Sequence, residues 1–454
     1  VRTAGLDLGT SHVKAVCVDL DPASDRSARV RELRRAPTPS DARELVAAAV
    51  GLLREVTDGG GVSAIGIASM AETGVPLDAR GEPLTPLLTW DAVRPLSPRL
   101  RHVDPVGLFA RTGVRLGPKA PLATWAWLAT EHAGVVRRTR HWAGAADLVA
   151  HALTGRVATD HTLAGRTGAH LLDGGWDEDL VRSAGLDPAV LPDVVTDQPV
   201  GTHDGVPVVV AGHDHQVGAH VAGVRRPGDT ANSLGTTEVV LRVLDGRPDP
   251  ADVHAAGMSL VRTVGGAHRA LLAGNGSAGA AYASWVEAEG LDPDRLEIPG
   301  GPTGLLVLPY LRGRQCPDPD PGARMRAVGA TARSPAVRMR AVLEGLALQT
   351  RWMDETQRAL DPGAAEGPFV MFGGPGARNG DWTRVKAEVL ARPIALVAED
   401  EPVAVGAAVV AAERAGLVAP GSVVLPADPL PVHEDRYAAV LADFVREARR
   451  KDPA

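Results

Sequence analysis

Cysteine is almost missing from this chain: Cys17 and Cys316 are the only two in 454 residues, far apart and without metal-ligand spacing. That argues against a disulfide scaffold and a structural zinc, and fits a reducing cytoplasm. A basic excess is missing too. With a formal net charge of −7 there is no cationic surplus to release counterions from a phosphate backbone, so no nucleic-acid partner is expected. No basic segment followed by an apolar stretch opens the sequence, and no apolar run approaches about 18 residues, so neither a leader nor a membrane partner is expected. What remains is ordinary globular material, 44% hydrophobic and 23% charged, with arginine supplying nearly all the positive charge. The 51 glycines and 36 prolines punctuate the loops and speak against disorder or a coiled coil. The length suits two domains of about 200 residues each.

Two short segments look like copies of each other. Leu8-Gly9-Thr10-Ser11-His12-Val13 lies near the start, and Leu234-Gly235-Thr236-Thr237-Glu238-Val239 about halfway along. An apolar strand that breaks at Leu-Gly-Thr and resumes as another apolar strand is a hairpin. Its turn offers backbone N–H groups and two small hydroxyls, which suit phosphate oxygens. A Gly-Thr turn alone is often only conformational. Its recurrence suggests a duplicated chain that clamps a polyphosphate from both sides, the arrangement of the actin-like ATPase and sugar-kinase folds.

Apolar periodicity predicts strands over 3–20, a helix near 40–56, a buried strand over 62–70, mostly helical chain over 95–200, and a buried parallel strand over 206–211. A second series follows from about Asp229: strands near 231–243, 258–264 and 268–273, a helix near 277–288, and a helix over 338–360. The strand 369–372, a glycine loop, a helix from about Asp381 and an Ala/Val-rich helix over 404–415 complete it. Alternating strands and helices in both halves predict an α/β class. The expected domains are residues 1–225 and 226–454.

Three clusters carry candidate chemistry. Asp7 ends the first strand beside the Gly9 turn; a carboxylate next to phosphate is repulsive unless a cation lies between, which implies Mg²⁺ held directly or through water, although Asp7 could instead stabilise its own turn. Lys14 could reach phosphate or simply be solvated. Ala211-Gly212-His213-Asp214-His215-Gln216 sits where a buried strand feeds a helix, the place where α/β sheets put ligands. Asp214 there could accept a proton from an attacking hydroxyl, orientation mattering more than basicity at an unperturbed pKa of about 3.9. A helix cap at Asp214, or a metal site with His213 and His215, are the alternatives. Third, Gly373, Gly374, Gly376 and Asn379 lie in a strand–glycine–helix stretch whose bare backbone would let a flat ring lie close.

These segments, in order over almost the whole chain, resemble the FGGY family of carbohydrate kinases. Gly5-Leu6-Asp7-Leu8-Gly9-Thr10-Ser11 looks like its first phosphate motif, Ser233-Leu234-Gly235-Thr236-Thr237 like its second, and Gly212-His213-Asp214 like its catalytic-aspartate motif. Residues 372–382, with Arg392-Pro393 and residues 401–408 behind them, resemble its adenosine-binding region. The resemblance implies two ribonuclease H-like domains with a deep interdomain cleft, sugar mainly on the first and ATP on the second. It also implies Mg²⁺ near Asp7 and Asp214 and Asp214 as general base; many relatives are dimers, so a homodimer is one option and the oligomeric state stays open.

Departures from the family pattern bear on the acceptor. Glu72, in Ser69-Met70-Ala71-Glu72-Thr73, matches the polyol-contacting Glu of glycerol kinases, while the neighbouring Arg is replaced by Ala71. The usual Trp-x-Asp-x-Arg reads Trp90-Asp91-Ala92-Val93-Arg94, and His213 and His215 flank the aspartate unusually. Glu72, Trp90, Asp91, Arg94, Asp214 and His215 are therefore the expected acceptor residues. The chain looks like neither xylulokinases nor glycerol kinases in particular. The expected activity is ATP-dependent phosphorylation of a sugar, ketose or polyol. An actin-like ATPase and a lapsed sugar-binding regulator are the alternatives; Asp214 counts against the first, which needs no base aimed at an acceptor, as do the adenosine loop and the polar set Glu72, Trp90 and Asp91, and the retained Asp7 and Asp214 count against the second.

Overall fold

The two Leu-Gly-Thr segments are the turns of two antiparallel strand pairs, and each pair opens a sheet of the same plan. This computed structural model describes residues 1–450, except 25–26, 59–60, 93, 236, 277, 291, 293–295, 331–332 and the side chain of Pro375. In the first sheet the order is Ala28–Pro37, His12–Leu20, Arg2–Leu8, Ile65–Ser69, Val206–His213, Gly201–His203. Arg2–Leu8 pairs antiparallel with His12–Leu20 and parallel with Ile65–Ser69, which in turn runs parallel to Val206–His213. The second sheet repeats this: Arg269–Asn275, Glu238–Val243, Thr230–Leu234, Phe369–Phe372 and Ile394–Val397 lie in that order, the first three antiparallel and the next two parallel to Thr230–Leu234 and to each other. Three antiparallel strands followed by two parallel ones, occurring twice, is the α/β class expected from the sequence.

By internal contacts, Val1–Gly223, Leu260–Arg269 and Glu401–Pro426 form one unit; Val224–Ser259, Ala270–Asp400 and the chain from Ala427 onward form the other. The first crossover falls beside the expected boundary at 225/226. The two later segments of the first unit have no counterpart in that linear division. Glu401–Pro426 carries the Ala/Val-rich helix, Pro402–Arg414, which lies on the first sheet. A Cβ on Gly5 would stand 2.0 Å from the Ala404 carbonyl oxygen, and one on Gly66 1.9 Å from that of Ala407. Glycine in two adjacent strands, and alanine on the helix, let backbone meet backbone there.

Elsewhere the elements follow local rules. Ala42–Thr57 starts where the Asp41 side chain accepts from the N–H groups of Arg43 and Glu44, and buries Leu45, Ala49, Leu52, Leu53 and Val56 along one face. In the second unit the long helix Pro335–Leu360 and the helix Gly380–Leu390 pack on each other and enclose a charged centre. Lys386 is wholly buried there, bonded to Glu238, to Asn232 Oδ1 at 3.1 Å and to Thr350 Oγ1 at 3.0 Å. Burial pushes its ammonium pKa down, against the pull of Glu238. Glu238 directly follows the Gly235 turn, so this buried network holds the strand on which the second turn stands. No described helix is long and apolar enough to cross a membrane.

Candidate active site

Strand register decides which residues of the first unit meet. Asp7 pairs with Ala68 and Leu8 with Ser69; Gly212 pairs with the same Ala68 and His213 with the same Ser69. Asp7, the segment after Ser69 and Asp214 therefore stand together at the carboxyl ends of three parallel strands, where open α/β sheets bind ligands.

Asp214 is aimed by a bulge. The register slips between Val210 and Gly212, and Gly212 has φ 128°, a region that side chains other than glycine's disfavour. Its missing Cβ would stand 2.3 Å from Thr162 Oγ1. That hydroxyl donates to Asp160 Oδ1 at 2.5 Å and accepts from the His213 N–H at 2.9 Å, while Arg414 bonds both Asp160 Oδ2 (2.9 Å) and the Val210 carbonyl (2.7 Å). Asp160, Thr162 and Arg414 were not legible as site residues in the sequence. An Asp-x-Thr helix cap is visible there, but its partner Arg414 is 254 positions away.

Beyond the bulge, Asp214 opens the helix Asp214–Val221, and its Oδ1 accepts the His215 N–H at 2.6 Å. His213 is buried, and burial pushes its pKa down to about 4 despite the opposing charge of Asp214, so its ring is neutral near pH 7. Gln216 donates its amide to the Arg262 carbonyl, so its Oε1 faces His213 Nδ1 (3.1 Å) and accepts a hydrogen bond from it, which keeps the proton on Nδ1. His213 Nε2 is thereby left with a lone pair 3.2 Å from Asp214 Oδ1. His215 Nε2 is 3.8 Å from the same oxygen, and the two imidazoles meet edge to face at 5.2 Å. Ligand atoms of His213, Asp214 and His215 lie within 4.8 Å of one another, so the metal alternative keeps its geometry.

Asp7 is buried, and burial, Asp214 and Glu401 together push its pKa up to about 6 against the pull of Lys14. Lys14 is partly buried and paired: its Nζ lies 3.3 Å from Asp7 Oδ2 and 2.6 Å from Glu401 Oε2. Asp7 Oδ1 is buried without a hydrogen-bond partner. An orphaned carboxylate oxygen beside a second carboxylate suits a divalent cation, which hard oxygen ligands favour.

In the first turn the Gly9 N–H is used internally, donating to the His12 carbonyl at 3.1 Å, while Thr10 and Ser11 are exposed. Thr10 Oγ1 accepts the Trp90 indole N–H at 3.0 Å, so an expected phosphate residue and an expected acceptor residue share a bond. Lys119 stands over the Trp90 ring at 4.9 Å. Asp91 is exposed; Arg94 bonds the Thr89 carbonyl and stands over the Trp127 ring, and among the described residues neither side chain bonds the Asp214 cluster. Glu72 has φ 63°, and its Oε1 takes two bonds from Arg166, from Nε at 3.2 Å and Nη2 at 2.6 Å. Arg166 was missed in the sequence, where it reads as one more loop arginine.

In the second unit the Gly235 N–H is also used internally, donating to the Thr237 carbonyl at 2.9 Å where Gly9 reaches the carbonyl three residues on, and Thr236 lies outside the described residues. A Cβ on Gly376 would stand 2.7 Å from the Leu234 side chain and one on Gly373 3.2 Å from the Leu234 nitrogen, whereas Gly374 has open space. Two of the three glycines are thus required for packing against the strand, leaving Gly374 as bare backbone. Asn379 caps the helix Gly380–Leu390, accepting the Trp382 N–H at 2.9 Å, and donates to the Tyr282 hydroxyl at 3.3 Å; Tyr282 stacks on Trp382.

Two α/β units of one plan, the first with Asp7 and Asp214 at the carboxyl ends of its parallel strands, define a two-unit α/β protein with a ligand site at those strand ends. The chain belongs to the FGGY family of carbohydrate kinases: the family's N-terminal domain matches residues 3–220 and its C-terminal domain residues 230–415. It is a carbohydrate kinase, and sugar kinases of this family use ATP. It is similar to the xylulose kinase of Streptomyces rubiginosus, 30% identical over 91% of this chain and 87% of that protein. To the glycerol kinase of Trichlorobacter lovleyi it is 29% identical, covering 89% and 88%. Among solved structures, the xylulose kinase from Rhodospirillum rubrum matches with a TM-score of 0.84 at 24% identity, covering 98% of this chain and 97% of that one. The Plasmodium falciparum glycerol kinase with ADP gives 0.85 at 17%, covering 99% of both. At these identities the structural likeness is one of fold.

Proposed function

We propose that this kinase transfers the γ-phosphoryl group of ATP to a hydroxyl of a small sugar, ketose or polyol, with Asp214 as general base. The acceptor hydroxyl gives its proton to the Asp214 carboxylate, its oxygen bonds the γ-phosphorus, and the bond from that phosphorus to the bridging oxygen breaks to release ADP. The observation that carries this reading is the pairing of Asp214 Oδ1 with a neutral His213 whose Nε2 is a bare acceptor 3.2 Å away. A carboxylate that has just taken a proton can donate it to that nitrogen, so protonation adds a hydrogen bond to His213 that the ionised reactant, which accepts from the His215 N–H, does not make. Asp7 and Asp214 would hold Mg²⁺, which would offset the negative charge of the transferring group. Lys14, tied to Asp7 and Glu401, keeps the Asp7 carboxylate oriented. The Gly9–Ser11 and Gly235–Thr237 turns are assigned to phosphate, and the bare backbone at Gly374 to the adenine ring.

An ADP-release screen with Mg·ATP against ketopentoses, ketohexoses, tetritols, pentitols and glycerol tests the reading. Acceptor-dependent ADP release, with the phosphorylated sugar identified by mass, is the expected result. Release that no acceptor changes would favour the actin-like ATPase instead.

A further inference from the structure

We infer that the Arg166–Glu72 pair is an acceptor-reading element that selects a neutral polyhydroxy compound and turns away sugar acids. The inference rests on the kinase reading above and adds to it a residue and a substrate class. Both side chains are mostly buried, at 13% and 16% exposure, and both Arg166 bonds go to the same oxygen, Glu72 Oε1. Arg166 Nη1 is buried and makes no hydrogen bond among the described residues. A buried guanidinium N–H without an acceptor is costly, and a ligand oxygen removes the cost. The backbone at Glu72 is held at φ 63°, a region that non-glycine residues enter at a cost and that concentrates at ligand sites. Glu72 follows the strand Ile65–Ser69, whose last residue is paired with His213, the residue that touches Asp214.

Charge then decides the class of acceptor. Glu72 cancels Arg166, Lys14 is shared between Asp7 and Glu401, and Asp214 adds a further negative charge. Among the described residues around Glu72, Asp7 and Asp214, an acceptor carboxylate would find each cation already facing a carboxylate. Neighbouring hydroxyls fit better, since one can accept from Arg166 Nη1 while the other donates to a carboxylate. Removing the Glu72 charge would free the guanidinium for a bidentate carboxylate.

Matched acceptors of equal carbon number test this: a pentitol against a pentonate, a hexitol against a hexonate, with ketopentoses alongside. They are assayed with wild type, Glu72→Gln, Arg166→Met and Arg166→Lys, each checked for folding by thermal melt. The wild type should prefer the neutral member of each pair. Glu72→Gln, nearly isosteric and safe for the backbone, should shift the acid-to-neutral ratio of kcat/KM upward by roughly 10- to 100-fold. Arg166→Met should raise the neutral acceptor's KM by about tenfold or more while the ATP KM stays, with partial rescue by Arg166→Lys. A wild type that prefers the acids, or a ratio unmoved in folded Glu72→Gln, overturns the inference and leaves the kinase reading intact. Phosphorylation of none of these acceptors, nor of the ketohexoses, tetritols and glycerol of the wider screen, would overturn the kinase reading, and this inference with it.

Discussion

Arg414 Nη2 lies 2.9 Å from Asp160 Oδ2, both side chains are buried, and through Thr162 this pair fixes the strand bulge that aims Asp214. Burial alone would raise the Asp160 pKa, but His161, Arg414 and the Thr162 hydroxyl hold it well below the usual carboxylate range. A depressed carboxylate contributes stability that is present above its unfolded pKa of about 4 and lost as pH falls below it. Asp160→Asn and Arg414→Met should each cost about 3–5 kcal/mol, read by urea unfolding at pH 7, because each leaves a buried charge unpaired or a buried bond unmade. A loss below about 1 kcal/mol in both would show that the pair does not anchor the bulge.

Asp214→Asn removes the proton acceptor and keeps the shape. Turnover should fall by about 10²–10⁴-fold, with nucleotide affinity by titration calorimetry nearly intact. Near-normal turnover in the folded variant would sink the assignment of the base.

Thr10 accepts the Trp90 indole N–H, so Thr10→Val should disturb two sites at once. The KM for Mg·ATP and the KM for the acceptor should both rise, each by roughly tenfold, while Thr236→Val should weaken Mg·ATP use alone. Unchanged ATP constants in both variants would refute the phosphate clamp.

Asp147 shows the opposite linkage to Asp160. It is buried at the start of the helix Ala145–Thr154, where burial pushes its pKa up to about 7 although the Gly144 N–H and Thr159 pull it down. Between about pH 4 and 7 the native state therefore holds a proton that the unfolded chain has released. Stability falls as pH rises through that window, by up to about 1.4 kcal/mol per unit. Asp147→Asn should flatten the dependence and melt higher than wild type at pH 8, its side-chain oxygen still accepting from Gly144. A variant that melts lower at pH 8 would mean that the ionised form is the one the fold uses.

Local chemistry was enough for much of this protein. Turn residues and apolar alternation over a few positions mark the Gly9 and Gly235 hairpins, the Asp41-capped helix and the strand leading into Asp214, because each depends on neighbours in sequence. The order of those segments was enough for the family. Contacts across long separations were decided only by the tertiary structure. Arg166 meets Glu72 94 positions earlier, Arg414 meets Asp160 254 positions earlier, and Glu401, which the resemblance attached to the nucleotide region, bonds Lys14 in the first unit. In a chain rich in arginine and carboxylates, any cation could pair with any anion. Register set the choice: once Gly5 and Gly66 let the helix Pro402–Arg414 lie against the first sheet, and Asp7 was brought level with Gly212, and Ser69 with His213, at the ends of the parallel strands, burial left each of these charges only the few partners within reach.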